Sequence, residues 1–139
     1  MIWAVLDTNV LVSGLGWRNT VPAHLVDQAL AGRFLLVTSP DLLAEVDRVL
    51  RYPKLAPVLS EPAAIIDLIR RVSVVVTPGA RLSVVNDEPD NRLLEVAVEA
   101  RADAIITGDR HVLSLGAEYE GIKLMQPRQF LELLEEQPS

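Results

Sequence analysis

The run Ile2-Trp3-Ala4-Val5-Leu6-Asp7 is apolar throughout and then stops on a carboxylate. Near the other end of the chain, Ala104-Ile105-Ile106-Thr107-Gly108-Asp109 has the same form, with one glycine before the acid. An apolar run without polar alternation marks a strand covered on both faces, which is the habit of parallel sheets. Three more runs of this kind, Phe34 to Thr38, Ser73 to Thr77 and Ile122 to Met125, bring the expected strands to five. Between them, apolar residues recur at helical spacing over Val21 to Ala31, Pro40 to Arg51, Pro62 to Arg71, Asn91 to Ala102 and Pro127 to Glu135. The helix starts carry their own punctuation: Ser39 before Pro40, Ser60 two residues before Pro62, and the turn-rich Asn86-Asp87-Glu88-Pro89-Asp90 before an apolar-periodic stretch. Alternation from end to end, with no repeat and no low-complexity linker, reads as an α/β fold with a mainly parallel sheet of about five strands, in one domain spanning residues 1–139.

Half of the 139 residues are apolar and 23% are charged. A chain of this length buries roughly two-thirds of its unfolded surface, so it folds without covalent or metal staples. The absence of cysteine excludes disulfides and thiolate metal sites. No stretch approaches the roughly 18 uncharged apolar residues of a membrane helix, and the first residues lack a basic leader and cleavage site. The expectation is a soluble cytoplasmic protein with no membrane association. Thirteen basic against nineteen acidic residues leave a net charge of −6, opposite in sign to a surface that holds phosphates by bulk attraction. Binding nucleic acid would instead require acids gathered into a pocket where bound divalent cations reverse the local charge.

The acids are placed for that. Asp7 and Asp109 both follow the carboxyl ends of expected strands, where open parallel sheets bind ligands, although either alone could serve as a turn residue or helix cap. Asp90 precedes the helix Asn91 to Ala102, whose buried stripe is Leu93, Leu94, Val96, Ala97 and Ala100. Projected one step back, Asp90 falls within roughly 50° of the stripe's centre, so it aims inward, as a cap or as a ligand. Glu45 sits about 100° from the centre of the apolar face Leu42, Leu43, Val46, Val49 and Leu50, and Asp47 sits equally far on the opposite edge, so periodicity does not choose between them. Four clustered carboxylates suit one or two oxygen-preferring divalent cations, the arrangement of metal-assisted phosphodiester cleavage. Their mutual repulsion should raise at least one pKa while no metal is bound.

Asp7-Thr8-Asn9-Val10-Leu11-Val12-Ser13, the Leu42-Leu43-x-Glu45-Val46 helix, Asp87-Glu88-Pro89-Asp90-Asn91 leading into Leu93-Leu94-x-Val96-Ala97, and Ala104-Ile105-Ile106-Thr107-Gly108-Asp109 together resemble the PIN domain family, in its order and at its spacing. The likeness runs from Ile2 to Met125. Within the family it is greatest to the subgroup of toxin components of toxin–antitoxin systems related to VapC-type toxins, which the Arg51-Tyr52-Pro53-Lys54 segment also resembles. The resemblance implies a three-layer α/β/α domain and a Mg²⁺- or Mn²⁺-dependent ribonuclease acting on single-stranded RNA. It implies Asp7, Glu45, Asp90 and Asp109 as the catalytic and metal-binding acids, which settles the tie with Asp47, and Asn9 and Thr107 as polar supports behind them. Asp87 is an ancillary ligand candidate. A toxin of this kind would have an antitoxin partner that blocks the cleft with an apolar segment and a basic residue, and would commonly be a homodimer.

Other residues are given lesser parts. His24 and His111, the only histidines, are read as surface or capping groups, and Trp3 and Trp17 as packing groups. Glu132, Glu135 and Glu136 read as the solvated face of a final helix. Eleven arginines against two lysines suit bidentate phosphate recognition, and Arg18, Arg48, Arg51, Lys54 and Arg110 are the candidates to rim the cleft and hold RNA. The competing class is a catalytically inactive PIN-like module that binds RNA or a protein. A haloacid-dehalogenase-type phosphatase also begins with Asp after a strand, but needs a second Asp two residues on, where this chain has Asn9.

Overall fold

The apolar runs form the strands of one sheet in the computed structural model, which describes residues 1–137. The strands are β1 (Trp3–Leu6), β2 (Leu35–Thr38), β3 (Ser73–Val75), β4 (Ala104–Ile106), β5 (Glu118–Tyr119) and β6 (Ile122–Met125). Their order is β3-β2-β1-β4-β6-β5, with every neighbouring pair parallel except β5 with β6. The sheet thus has six strands rather than about five. The extra one, β5, is a two-residue edge piece too short to leave a periodic trace in the sequence.

The helices are α1 (Thr8–Gly16), α2 (Val21–Leu30), α3 (Pro40–Leu50), α4 (Pro62–Val72), α5 (Glu88–Ala100), α6 (Arg110–Leu113) and α7 (Pro127–Glu136). Alternation along β1 divides the core into two layers: Ala4 and Leu6 pack into one apolar cluster and Val5 into the other. The first cluster takes α1, α2, α4, α7 and most of the apolar face of α3, and is crowned by an edge-to-face contact between Phe34 and Phe130 at 5.0 Å. The second is built from α5, α6 and Leu42 of α3. The result is the three-layer α/β/α arrangement.

Two departures from the sequence reading have local causes. Helix α1 was not expected. Thr8-Asn9-Val10-Leu11-Val12-Ser13-Gly14-Leu15-Gly16 holds β-branched residues and two glycines, all weak helix formers, and its apolar residues make no clean stripe. The helix forms because Asp7 caps it, accepting from the Val10 N–H at 2.8 Å, and because it packs closely on α2. At Gly14 an added Cβ would lie 2.5 Å from the Pro22 carbonyl oxygen and 2.6 Å from Val26 Cγ2. Gly14→Ala should therefore force α1 and α2 apart and cost about 1–3 kcal/mol, seen as a lower urea midpoint; an unchanged midpoint would show that the contact is slack.

Helix α5 begins at Glu88, not Asn91, and its cap is Asp87, whose Oδ1 accepts from the Asp90 N–H at 3.3 Å. Asp90 is then the third helical residue, and the capping role open to it in the sequence is already filled.

From β1 the chain works outward through β2 to β3, then returns to place β4 on the other side of β1. The strand order reverses between β1 and β4. A crevice opens at the carboxyl ends of strands at such a reversal, and the residues that leave β1 and β4 there are Asp7 and, two beyond Thr107, Asp109. Among the described residues no helix is long and apolar enough to cross a membrane.

Candidate functional site

A cleft of about 210 Å³ lies at this reversal, lined by Asp7, Thr8, Asn9, Leu42, Glu45, Asp87, Pro89, Asp90, Leu93 and Asp109. Each acid arrives on a different support. Asp7 is the cap of α1 and Asp109 the cap of α6, where its Oδ1 accepts from the His111 N–H at 2.7 Å. Glu45 projects from the middle of α3, half-exposed, with no hydrogen bond or ion pair among the described residues. Asp87 and Asp90 stand at the amino end of α5. Asp7, Asp87 and Asp109 thus line the cleft and cap helices at the same time, each with its Oδ1 taken by a backbone N–H.

Thr107 joins two of the acids. Fully buried at the end of β4, its hydroxyl donates to Asp7 Oδ2 and accepts from the Asp109 N–H at 3.0 Å. Asp7 nevertheless has a pKa above the usual carboxylate range: burial raises it most, the Thr107 and Val10 hydrogen bonds oppose this, and the Asp109 charge raises it again. Asp90 is further displaced, to about 7, first by burial and then by the Asp109 and Asp87 charges. Only 8% of Asp90 is exposed, and its Oδ2 is buried with no hydrogen-bond partner among the described residues. A buried, unpaired carboxylate oxygen facing other carboxylates is costly, and a divalent cation is the chemical partner that relieves both the missing bond and the repulsion. The donor set fits a cation of this kind.

The other sequence candidates are distributed unevenly. Asp47 points away from the cleft into an ion pair with Arg51 at 3.0 Å; Glu45, not Asp47, lines the wall. Asn9 lines the cleft, but no hydrogen bond ties its side chain to an acid among the described residues. Arg18, Arg48, Arg51, Lys54 and Arg110 are all exposed and none lines the cleft wall; Arg48 donates to the Tyr52 hydroxyl at 3.1 Å.

One residue set aside in the sequence stands at the site. His111 Nδ1 lies 3.2 Å from Asp109 Oδ1 and 3.8 Å from Asp90 Oδ2. The signal that could have found it is its position two residues after Asp109: a carboxylate capping a helix start brings that residue back alongside itself.

The carboxylates thus converge at the switch point of a parallel α/β/α sheet. A model of the PIN domain family matches residues 4–111, and the chain belongs to that family. The protein MJ1680 of Methanocaldococcus jannaschii, itself uncharacterised, is 33% identical over 144 residues, spanning 96% of this chain and 92% of that one. Three solved structures share the fold. PAE2754 from Pyrobaculum aerophilum has a TM-score of 0.63 at 15% identity, covering 98% of this chain and 91% of that one. VapBC2 from Rickettsia felis, bound to a DNA fragment from its promoter, has 0.61 at 13%, covering 90% and 98%. FitAcB from Neisseria gonorrhoeae has 0.56 at 18%, also covering 90% and 98%. PIN domains are typically nucleases that use divalent metals.

Proposed function

We propose that this chain is a Mg²⁺- or Mn²⁺-dependent endoribonuclease that cleaves single-stranded RNA, working as one catalytic domain in the cytoplasm and serving as the toxin of a toxin–antitoxin pair. The observation that carries the reading is the unpaired Asp90 Oδ2, buried in a cleft whose other walls are Asp7, Glu45, Asp87 and Asp109. A cation held there supplies positive charge to a scissile phosphodiester and lowers the pKa of an attacking water. Asp7, Glu45, Asp90 and Asp109 would hold it, with Asp87 as an ancillary ligand. Thr107 keeps Asp7 and Asp109 in register, and the caps at Val10 and His111 fix the direction in which each carboxylate faces. Arg18, Arg48, Arg51, Lys54 and Arg110 would hold the flanking RNA through its phosphates. The toxin role, a protein antitoxin and a homodimer draw support from the likeness of fold to VapBC2 and FitAcB.

The test is cleavage of a labelled single-stranded RNA by the full chain. Cutting should require Mg²⁺ or Mn²⁺, stop with chelator, and fall by at least about 100-fold in Asp7→Asn, since changes merely behind a ligand already cost 10–100-fold. Cutting that survives Asp7→Asn would refute the assigned chemistry. Tight RNA binding without cutting in either metal would make the chain an inactive binding module instead.

A further inference from the structure

We propose that His111 is a nitrogen ligand in this cleft, so that the site takes a first-row transition cation such as Mn²⁺ in preference to Mg²⁺. The inference rests on the cation-dependent reading above, and it concerns which ion is held and by what atoms. Asp87, Asp90 and His111 offer ligand atoms that all lie within 4.8 Å of one another. Around an octahedral ion with bonds of about 2.1 Å, adjacent donors lie about 3.0 Å apart and opposite ones about 4.2 Å. The trio therefore needs only a small inward movement to share an ion, and His111, exposed on the first turn of α6, is free to make it.

The ring stands beside two of the cleft's acids, although it is not itself part of the cleft wall. The His111 N–H is fixed to Asp109 Oδ1, and Nδ1 lies beside that same oxygen and 3.8 Å from Asp90 Oδ2. That separation is too long for a hydrogen bond, and Asp90 Oδ2, although buried, has no other partner among the described residues. A ring nitrogen and an unpaired carboxylate oxygen thus face each other across a gap that neither closes, and a cation between them satisfies both. The nitrogen sets the preference: Mg²⁺ favours oxygen and keeps its waters, imidazole is taken most readily by Fe, Ni, Cu and Zn, and Mn²⁺, although it too favours oxygen, accepts a nitrogen donor more readily than Mg²⁺ does.

The test uses the metal-stripped full chain, titrated calorimetrically with MnCl₂ and with MgCl₂, and electron spin-echo modulation of the Mn²⁺-loaded protein. The wild type should show imidazole ¹⁴N modulation, and His111→Gln should lose it. The Mn²⁺ affinity of His111→Gln should fall at least about tenfold while its Mg²⁺ affinity changes less than about threefold. His24→Gln, altered on α2 away from the cleft, should keep both the modulation and the affinity. An unchanged thermal midpoint will show that His111→Gln is folded. Mn²⁺ bound by the wild type without ¹⁴N modulation, equal loss of both ions in His111→Gln, or no Mn²⁺ binding at all would overturn the inference. RNA cutting by the same samples separates the two readings. Nitrogen-ligated Mn²⁺ without cutting supports this inference and removes the nuclease, while cutting without ¹⁴N modulation overturns this inference and supports the nuclease.

Discussion

Asp90→Asn should make the metal-free protein more stable and useless as a nuclease. In the folded chain the Asp90 carboxyl titrates near pH 7, well above its ordinary value, because it is buried and faces Asp109 and Asp87. An acid whose pKa rises on folding opposes folding only where it must ionise. Below about pH 4, where both states are protonated, Asp90 imposes no penalty; stability then falls as pH rises toward about 7 and stays lower above it. Three or so pKa units correspond to about 4 kcal/mol, which the open side of the cleft reduces to about 2 kcal/mol. Asparagine has the same shape and no charge to desolvate. At pH 8 the substitution should raise the denaturation free energy of the metal-free protein by about 2 kcal/mol, and at pH 4 by almost nothing. The same change should abolish RNA cutting. Equal stability at pH 8, or a loss, would mean that the Asp90 charge is not frustrated in the folded state.

Asn91→Ala should have the opposite effect on stability and a similar effect on the site. Asn91 is fully buried one residue after Asp90. Its Oδ1 accepts from the Val84 and Val85 N–H groups at 2.9 and 3.0 Å, and its Nδ2 donates to the Val85 carbonyl at 2.8 Å. Beyond Val76, whose N–H still donates to the Thr38 carbonyl of β2 at 2.9 Å, the chain forms no strand or helix before α5. Side chains of α5 hold it instead: Glu99 accepts from Gly79 N–H and Glu95 from Leu82 N–H, each at 2.7 Å, while Arg92 donates to the Leu82 carbonyl at 3.2 Å. Asn91 holds Val84 and Val85, which lead directly into Asn86 and the cleft acid Asp87. Truncation removes these three hydrogen bonds and a fourth, from Nδ2 to Glu88 Oε1 at 3.4 Å, and leaves partly buried backbone groups unpaired, at a cost of about 2–4 kcal/mol. The loss should appear in chemical denaturation, together with faster amide exchange over residues 79–86 and weaker cation binding. A cost under about 1 kcal/mol with unchanged exchange would show that Glu95 and Glu99 hold the segment without Asn91.

The strand–acid junctions were legible because two physical requirements coincide there. A strand buried on both faces must be apolar, and a helix or turn that follows it wants an Asp to take up free N–H groups, so Asp7 and Asp109 stood out by position alone. The inward aim of Asp90 followed from the wheel of α5, even though the helix starts earlier than its apolar period does. Glu45 was not separable from Asp47 by periodicity, since both sit at the edge of the same face; what distinguishes them is the ion pair that turns Asp47 toward Arg51. Helix α1 was illegible because its stability comes from Asp7 and from the fit of Gly14 against α2 rather than from propensity. The tether on α5 was hidden for a related reason: a buried asparagine and two glutamates bonding to distant backbone look like polar surface residues in a sequence. The nearness of His111 to the acids was illegible because a lone histidine has no period, and only the turn after Asp109 brings it beside Asp109 and Asp90.

The most direct measurement is anomalous diffraction at the manganese edge from crystals soaked in Mn²⁺. A peak should appear in the cleft within about 2.0–2.3 Å of carboxylate oxygens contributed by residues far apart in the chain, Asp90 among them. Crystals that take up manganese only at other surfaces, leaving Asp7, Glu45, Asp90 and Asp109 without a shared ion, would contradict the assignment of this cleft as the metal centre.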